Sequence, residues 1–313
     1  MVVLGKGGGA VETVHTLGSA LTACRVARDG GAPASPLPTG PTPPGTVAFV
    51  LQGGGSPCAS QVGALRALTQ AGITPDLIVG SSAGALNGAA FAADPTAEGV
   101  DRLETLWLTI KRRHVAPISP WTVIRAALGH AEAAVSSNAL RRVLRSGDGV
   151  DRLEDVAVPV HVVATDVESG AAVVLSRGDA VSALLASAAV PGLYPPVRVG
   201  QRHLIDGAVS ADTPVLQAEA LGATTIYLLP AAVSEQTGRR ARTALLAAYQ
   251  AVGKMLEERE RRDVAAVRGS VLRLPAATTP VVSLIDFHET PRLLQAGYSL
   301  TRDWLARQPA AMA

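Results

Sequence analysis

The sequence predicts an α/β fold with three layers, in which a mostly parallel central sheet is flanked by helices. Two observations carry this prediction. Short apolar segments rich in β-branched residues alternate with longer segments in which apolar residues recur at helical spacing. Several of the short segments are apolar throughout, which is typical of parallel strands that are buried on both faces. With 313 residues, 48% of them hydrophobic, the chain is long enough to bury a large core.

The first predicted unit begins with a strand at residues 46–51, an uninterrupted apolar run. A glycine-rich turn follows, and residues 61–68 carry apolar side chains at helical spacing. Gly72 ends this helix and Pro75 precedes the next strand, at residues 76–79. Because an alanine-rich helix comes next, the unit has the strand–helix–strand–helix order of a parallel sheet covered by helices.

The later elements are predicted from the same periodicities and from proline and glycine boundaries. Residues 97–147 are mostly helical and carry more charge. Further strands are expected at residues 159–166, 171–175, 202–205, 225–229 and 271–274, and further helices at 179–189, 238–268 and 291–307.

Residues 1–44 are predicted to be a flexible or disordered leader, and residues 45–313 a single folded domain. The leader is dense in glycine, proline, serine and threonine, which cannot bury enough apolar surface to become ordered. A start codon assigned too early would give the same appearance. Glycine, proline or charged residues interrupt every apolar run before it reaches transmembrane length.

Charge and composition exclude other classes of function. A net charge of +2 and an aromatic content of 3% give no basis for nucleic-acid binding. The two cysteines, Cys24 and Cys58, do not make a disulfide framework, so a reducing compartment fits best. We therefore expect a cytoplasmic protein, and peripheral contact with a membrane stays open because it needs no membrane span.

The pentapeptide Gly80-Ser81-Ser82-Ala83-Gly84 is the most informative motif. It stands between a predicted strand and a predicted helix, which is the layout of a nucleophile elbow. Glycines two residues before and after the serine leave room for the strained turn that exposes its hydroxyl. The helix that follows points free N–H groups at the place where negative charge develops. Ser82 is therefore the predicted nucleophile.

Two further motifs follow predicted strands. The amides of the loop Gly53-Gly54-Gly55 are suited to form an oxyanion hole. Asp206 ends the strand predicted at 202–205, and in a parallel sheet it would lie at the same edge as Ser82. A carboxylate there can accept the serine proton directly. Taken alone, each motif is better explained by an ordinary tight turn.

Taken together, these motifs resemble those of the patatin-like phospholipase family of serine acyl hydrolases. The resemblance covers residues 46–230 and includes the glycine loop, the serine elbow, the Asp-Gly pair and the segment 186–197 before that pair. It implies a Ser-Asp dyad without histidine, in which Ser82 is the nucleophile, Asp206 is the base and the glycine-loop amides hold the oxyanion.

The same resemblance implies a reaction and a class of substrate. Hydrolysis would pass through an acyl-serine intermediate that water resolves, with no metal or other cofactor. The implied substrates are carboxylic esters of lipids, namely phospholipids, lysophospholipids and neutral glycerides, together with small model esters.

Two alternatives stay open. An ordinary α/β-hydrolase would use a catalytic triad, for which the chain order allows Ser82, Asp206 and His288. A catalytically impaired descendant of the family would serve as a binding protein. Pro57 and Cys58 motivate this second alternative, because the family's glycine loop usually continues with a basic residue and another glycine at these places.

Overall fold

The computed structural model describes residues 45–117, 133–146, 150–235, 244–280 and 283–308. The leader predicted at residues 1–44 lies outside this part of the chain. The same holds for residues 118–132 and 147 of the helical segment predicted at 97–147, and for the beginning of the helix predicted at 238–268. Within the described residues, the fold is the predicted α/β arrangement, with a mostly parallel central sheet flanked by helices. No helix in these ranges is both long enough and apolar enough to cross a membrane.

The described elements agree closely with those expected from the sequence. The strands are β1 (Val47–Leu51), β2 (Leu77–Ser81), β3 (Val160–Asp166), β4 (Ala172–Leu175), β5 (Val197–Val199), β6 (Arg202–Asp206), β7 (Thr225–Leu229), β8 (Val233–Ser234), β9 (Ser270–Arg273) and β10 (Thr278–Thr279). The α-helices are α1 (Ala59–Gln70), α2 (Ala83–Ala93), α3 (Ala97–Thr109), α4 (Arg112–Val115), α5 (Asn138–Arg145), α6 (Ala180–Ser187), α7 (Ala208–Ala211), α8 (Val215–Ala220), α9 (Ala244–Ala266) and α10 (Thr290–Leu305). Every predicted strand is present. Strands β5, β8 and β10 were not predicted, because runs of two or three residues are too short to show a periodicity.

Five strands of the central sheet run parallel, in the order β3-β2-β1-β7-β9. Strand β1 lies in the middle and is covered on both faces. Phe49 and Leu51 pack in an apolar cluster with α1, α2, α3 and α10, whereas Ala48 and Val50 pack in a second cluster with α8. Burial on both faces accounts for the uninterrupted apolar sequence of this strand.

The antiparallel strands of the sheet explain how residues far apart in sequence meet. Strand β4 pairs with one side of β3, whereas β2 and β6 share the other side. Strand β2 ends with Ser81 opposite Val163, and β6, running in the opposite direction, ends with Asp206 opposite Ala164. Since Val163 and Ala164 are consecutive, the ends of β2 and β6 face each other along β3.

This arrangement corrects one step of the sequence analysis. Asp206 was expected near Ser82 because both would end parallel strands. Strand β6 is antiparallel to β3, and Asp206 comes close to the elbow because β3 extends three residues beyond Val163, the last partner of β2. The proximity was predicted, but its reason was wrong.

Candidate active site

The turn between β2 and α2 holds Ser82 in a strained backbone conformation. Its φ of 52° makes it the single non-glycine residue with positive φ among the described residues. Such a conformation costs about 1–3 kcal/mol and is retained where its surroundings enforce it. A Cβ on Gly84 would collide with the Leu51 carbonyl oxygen, and one on Gly80 would lie 2.6 Å from Ala85 Cα. The two glycines of the motif are therefore required by close backbone approach.

The structure brings Ser82 and Asp206 into direct contact. Ser82 Oγ donates a hydrogen bond of 2.7 Å to Asp206 Oδ2. The second carboxyl oxygen, Oδ1, accepts a hydrogen bond of 2.8 Å from the Ala208 amide. Burial raises the pKa of Asp206 to about 7, against the opposing effect of these two hydrogen bonds. Asp206 therefore exchanges its proton near neutral pH, which suits a general base.

Ser187, which the sequence analysis did not single out, ties the elbow to the sheet. Its Oγ accepts a hydrogen bond of 2.8 Å from the Ser82 amide and donates one of 2.6 Å to the Val163 carbonyl oxygen. Its own carbonyl oxygen accepts from the Gly207 amide at 3.1 Å. One serine on α6 thus contacts the backbone beside both the nucleophile and the carboxylate.

The glycine loop offers two amides to the site rather than the three predicted. Gly53 donates its N–H to the Asp212 carbonyl oxygen at 3.0 Å, so this amide is not available for an oxyanion. The amides of Gly54 and Gly55 have no hydrogen-bond partner within the described residues, and both glycines line the same cavity as Ser82. Of the three amides predicted to form an oxyanion hole, those of Gly54 and Gly55 remain the candidates.

The unusual residues after the glycine loop fit a 3₁₀ turn at Ser56–Cys58. Pro57 stands at the start of this turn, where a missing N–H costs nothing. Cys58 is fully buried, and its Sγ lies 3.5 Å from the Gln52 carbonyl oxygen. Burial and the charges of Asp212 and Asp206 raise the pKa of this thiol, which disfavours the reactive thiolate. Neither residue removes the Gly54 or Gly55 amide.

Buried amide side chains support the loop from behind. Gln61 Nε2 donates hydrogen bonds to the carbonyl oxygens of Gln52, at 2.8 Å, and Leu229, at 3.1 Å. Gln61 Oε1 accepts from Asn87 Nδ2 at 3.0 Å, and Asn87 Oδ1 accepts from Trp107 Nε1 at 2.8 Å. These contacts join α1, α2 and α3 with the end of β7 and with the residue after β1, which no local motif connects.

The structure does not bring His288 to the serine and the carboxylate. His288 is exposed on the loop before α10, where its backbone N–H donates to Asp286 Oδ1 at 3.1 Å, and it does not line the cavity. The direct bond between Ser82 and Asp206 also leaves no place for an imidazole between them. The described geometry therefore disagrees with the triad Ser82-Asp206-His288.

A cavity of about 1570 Å³ opens beside Ser82. Its walls come from helices α2, α3, α5, α6 and α9 and are mostly apolar, with Leu86, Leu103, Trp107, Leu140 and Leu184 among them. Basic side chains of α9, Lys254, Arg259 and Arg262, also line it. The described residues contain no cluster of His, Cys, Asp or Glu that could hold a metal ion.

Comparison with known proteins defines the class of this fold and site. The sequence model described as patatin-like phospholipase matches residues 49–219, which is more than half of the chain. The chain belongs to the patatin-like phospholipase family.

Individual relatives are distant and much longer. The chain is 28% identical over 172 residues to an uncharacterized NTE family protein of Mycobacterium tuberculosis, covering 54% of this chain and 27% of that protein. It is 27% identical over 194 residues to human patatin-like phospholipase domain-containing protein 6, covering 61% of this chain and 14% of that protein. It is 28% identical over 181 residues to lysophospholipase NTE1 of Candida glabrata, covering 58% and 10%. The chain thus spans about a quarter or less of the length of these relatives.

Two solved structures are also similar to the chain. VipD from Legionella pneumophila matches with 15% identity and a TM-score of 0.46, covering 85% of this chain and 67% of VipD. Human GIVD cytosolic phospholipase A2 matches with 10% identity and a TM-score of 0.43, covering 83% and 58%.

Proposed function

We propose that the protein is a carboxylic ester hydrolase that removes acyl chains from lipids by means of a Ser82-Asp206 dyad. One observation carries this proposal: the Ser82 hydroxyl is hydrogen-bonded at 2.7 Å to a buried carboxyl group and faces a large apolar cavity. Two unpaired amides, of Gly54 and Gly55, line the same cavity. A nucleophile, a base and oxyanion donors are the groups that acyl transfer needs.

In the first half of the proposed reaction, Ser82 Oγ attacks the ester carbonyl carbon and gives its proton to Asp206. The carbonyl oxygen becomes an oxyanion, which the amides of Gly54 and Gly55 stabilise. The amide of Ala83, the first residue of α2, is a third candidate donor. One donor of this kind contributes about 3–4 kcal/mol to the transition state.

The tetrahedral intermediate then collapses. The alkoxide leaving group takes the proton back from Asp206 and departs as an alcohol, which leaves the acyl chain on Ser82. In the second half, Asp206 accepts a proton from a water molecule that attacks the acyl-serine. Collapse of this second intermediate returns the proton to Ser82 Oγ and releases the carboxylic acid.

Lipid esters are the proposed substrates because the cavity wall beside Ser82 is mostly apolar. Two of the relatives are named as a phospholipase domain protein and a lysophospholipase, which supports this choice. Peripheral contact with a membrane is part of the proposal, since such lipids reside there. A binding protein without catalysis is the competing function, and it predicts no turnover and no covalent labelling of Ser82.

The purified protein is expected to hydrolyse short p-nitrophenyl esters and lysophospholipid, and Ser82→Ala is expected to lack this activity. A fluorophosphonate probe should label the wild-type protein at Ser82 and leave the variant unlabelled. Hydrolysis at the level of the Ser82→Ala control, together with absent labelling in the presence of detergent or lipid, would favour the binding protein.

The rate should depend on the protonation of Asp206. Because burial raises the pKa of this carboxyl to about 7, kcat/KM for a neutral ester is expected to rise as pH increases through that value. The carboxylate, which is the form that accepts the serine proton, predominates above it. A profile measured from about pH 5 to about pH 9 tests this, and a rate that falls as pH rises through 7 would contradict it.

A further inference from the structure

Two buried carboxyl groups share the side-chain amide of Gln52, the residue immediately before the glycine loop. Gln52 Nε2 donates to Asp212 Oδ2 at 2.9 Å and to Glu260 Oε2 at 3.1 Å. Both acids are buried, with 7% of Asp212 and 9% of Glu260 exposed. Glu260 is compensated by Arg273, whose Nε lies 2.7 Å from its Oε1. Asp212 forms no such ion pair within the described residues, so the burial of its carboxyl group needs another explanation.

Asp212 makes three contacts with Gly53 and with Gln52, the residue before it. Its backbone carbonyl oxygen accepts the Gly53 N–H at 3.0 Å. Its carboxyl Oδ1 lies beside Gly53, where a Cβ would come within 2.5 Å of it. Its Oδ2 accepts from Gln52. The first contact needs only the backbone, whereas the other two depend on the carboxyl group.

Gln52 also contacts the end of β7 and the segment that follows it. Its Oε1 accepts the Ala231 N–H at 3.0 Å, and its own backbone N–H donates to the Leu229 carbonyl oxygen at 3.1 Å. Gly54 lies against the same segment, because a Cβ there would approach Ala231 Cβ to 2.8 Å. The orientation of the Gln52 side chain therefore fixes the position of the loop relative to the end of β7.

We propose that Asp212 is a positioning residue for ester hydrolysis, which holds the Gly54 and Gly55 amides opposite Ser82 through its contacts with Gln52 and Gly53. This inference rests on the proposed function. Asp212 acts through the loop and takes no part in proton transfer from the serine. Its removal should lower kcat more than it raises KM, because oxyanion donors act mainly in the transition state.

The charges around Asp212 give the proposal a second measurable consequence. Burial raises the pKa of Asp212 to about 6, and the negative charge of Glu260 raises it further. The hydrogen bond from Gln52 and the positive charge of Arg259 lower this pKa and so oppose the effect of burial. Asp212 in turn contributes to the raised pKa of Asp206. Removing the carboxyl at position 212 is therefore expected to lower the pKa of Asp206.

The test compares Asp212→Ala and Asp212→Asn with the wild-type protein, using a neutral p-nitrophenyl ester. Asp212→Ala removes the acceptor for Gln52 and should lower kcat about 10- to 100-fold with little change in KM. Asp212→Asn keeps an acceptor oxygen and should recover most of this loss. In both variants the midpoint of the rising limb of kcat/KM against pH should move to lower pH.

Asp166→Asn is the matched control. Asp166 is also a buried acid, but its carboxyl accepts hydrogen bonds from the backbone N–H groups of Glu168 and Ser169 in the turn after β3. It does not contact the glycine loop, so kcat and the pH midpoint should equal those of the wild-type protein. Fluorophosphonate labelling rates should follow the same order as kcat across all variants.

The outcomes separate this inference from the proposed function. An active wild-type protein with an equally active Asp212→Ala and an unchanged pH midpoint would overturn the inference alone. If Asp212→Ala does not fold, Gln52→Ala, which removes the donor to Asp212 Oδ2, takes its place, and a kcat equal to that of the wild-type protein overturns the inference. A wild-type protein that neither turns over esters nor reacts with the probe overturns both.

Discussion

Asp206→Asn is expected to lower kcat for ester hydrolysis by a factor of about 10²–10⁴, the contribution of a positioned general base. The asparagine oxygen can still accept the hydrogen bond from Ser82, but it cannot take the serine proton. Within the described residues, the Ser82 hydroxyl has Asp206 as its hydrogen-bond partner, and His288 lies outside the cavity. The measurement is steady-state hydrolysis of a p-nitrophenyl ester, with labelling by a fluorophosphonate as a second readout.

The fold of this variant should be preserved or strengthened. The pKa of Asp206 is raised in the folded protein, to about 7, so its contribution to stability is fully present only at low pH and is lost as pH rises through 7. Asparagine has no such dependence. Thermal unfolding above neutral pH should therefore show Asp206→Asn to be at least as stable as the wild-type protein.

His288→Ala is the control that separates a dyad from a triad. An exposed histidine outside the cavity should be replaceable without loss of kcat. A large loss of kcat in His288→Ala, combined with a small loss in Asp206→Asn, would favour a triad that includes His288 over the Ser82-Asp206 dyad.

Gly55→Ala is expected to lower kcat by a factor of about 10²–10³, which is the effect of losing one oxyanion donor. Gly55 has a φ of 66°, and a Cβ there would lie 2.9 Å from Leu284 Cα and collide with the Leu284 carbonyl oxygen. Since these are backbone atoms, the glycine loop has to move, and its amides move away from Ser82. Steady-state kinetics and thermal unfolding of the same preparation test this expectation.

Gly200→Ala is the matched control for that substitution. Gly200 has a similar φ, 61°, but a Cβ there would meet no atom within 4 Å, and it lies in the turn between β5 and β6. Both variants carry the cost of a side chain at positive φ, whereas only Gly55→Ala displaces the loop. Equal kcat values in the two variants would show that Gly55 does not serve the oxyanion.

The parallel core of the fold could be predicted because its signals are local. Strands β1, β2 and β7 are short apolar runs bounded by glycine or proline, and the structure places them within one or two residues of the predicted limits. The direction of β6 could not be predicted in this way. Strand β6 is too short and mixed in polarity to show either the continuous apolar run of a parallel strand or a clear alternation, and its direction depends on how it pairs with β3.

The candidate site also contains residues that a local sequence pattern predicts and residues that it does not. Ser82 and the glycine loop could be predicted because a strained turn and a close backbone approach each demand a local pattern of glycines. Ser187, Gln52 and Asp212 carry no such pattern. Their roles arise from hydrogen bonds between residues that are more than a hundred positions apart in sequence. Ser187 pairs with Ser82, and Asp212 pairs with Gln52.

Helix α9 contributes to the cavity wall from outside the segment that matches the family model. Ser82, Asp206 and the glycine loop all lie within the segment 49–219 that the family shares, whereas α9, which carries Val252 and Met255 into the cavity wall, lies beyond it. If the protein hydrolyses lipid esters as proposed, substitutions in α9 are expected to change which acyl groups fit the cavity while leaving Ser82 and Asp206 in place. The exception is Glu260, through which this helix contacts Gln52, the residue before the glycine loop.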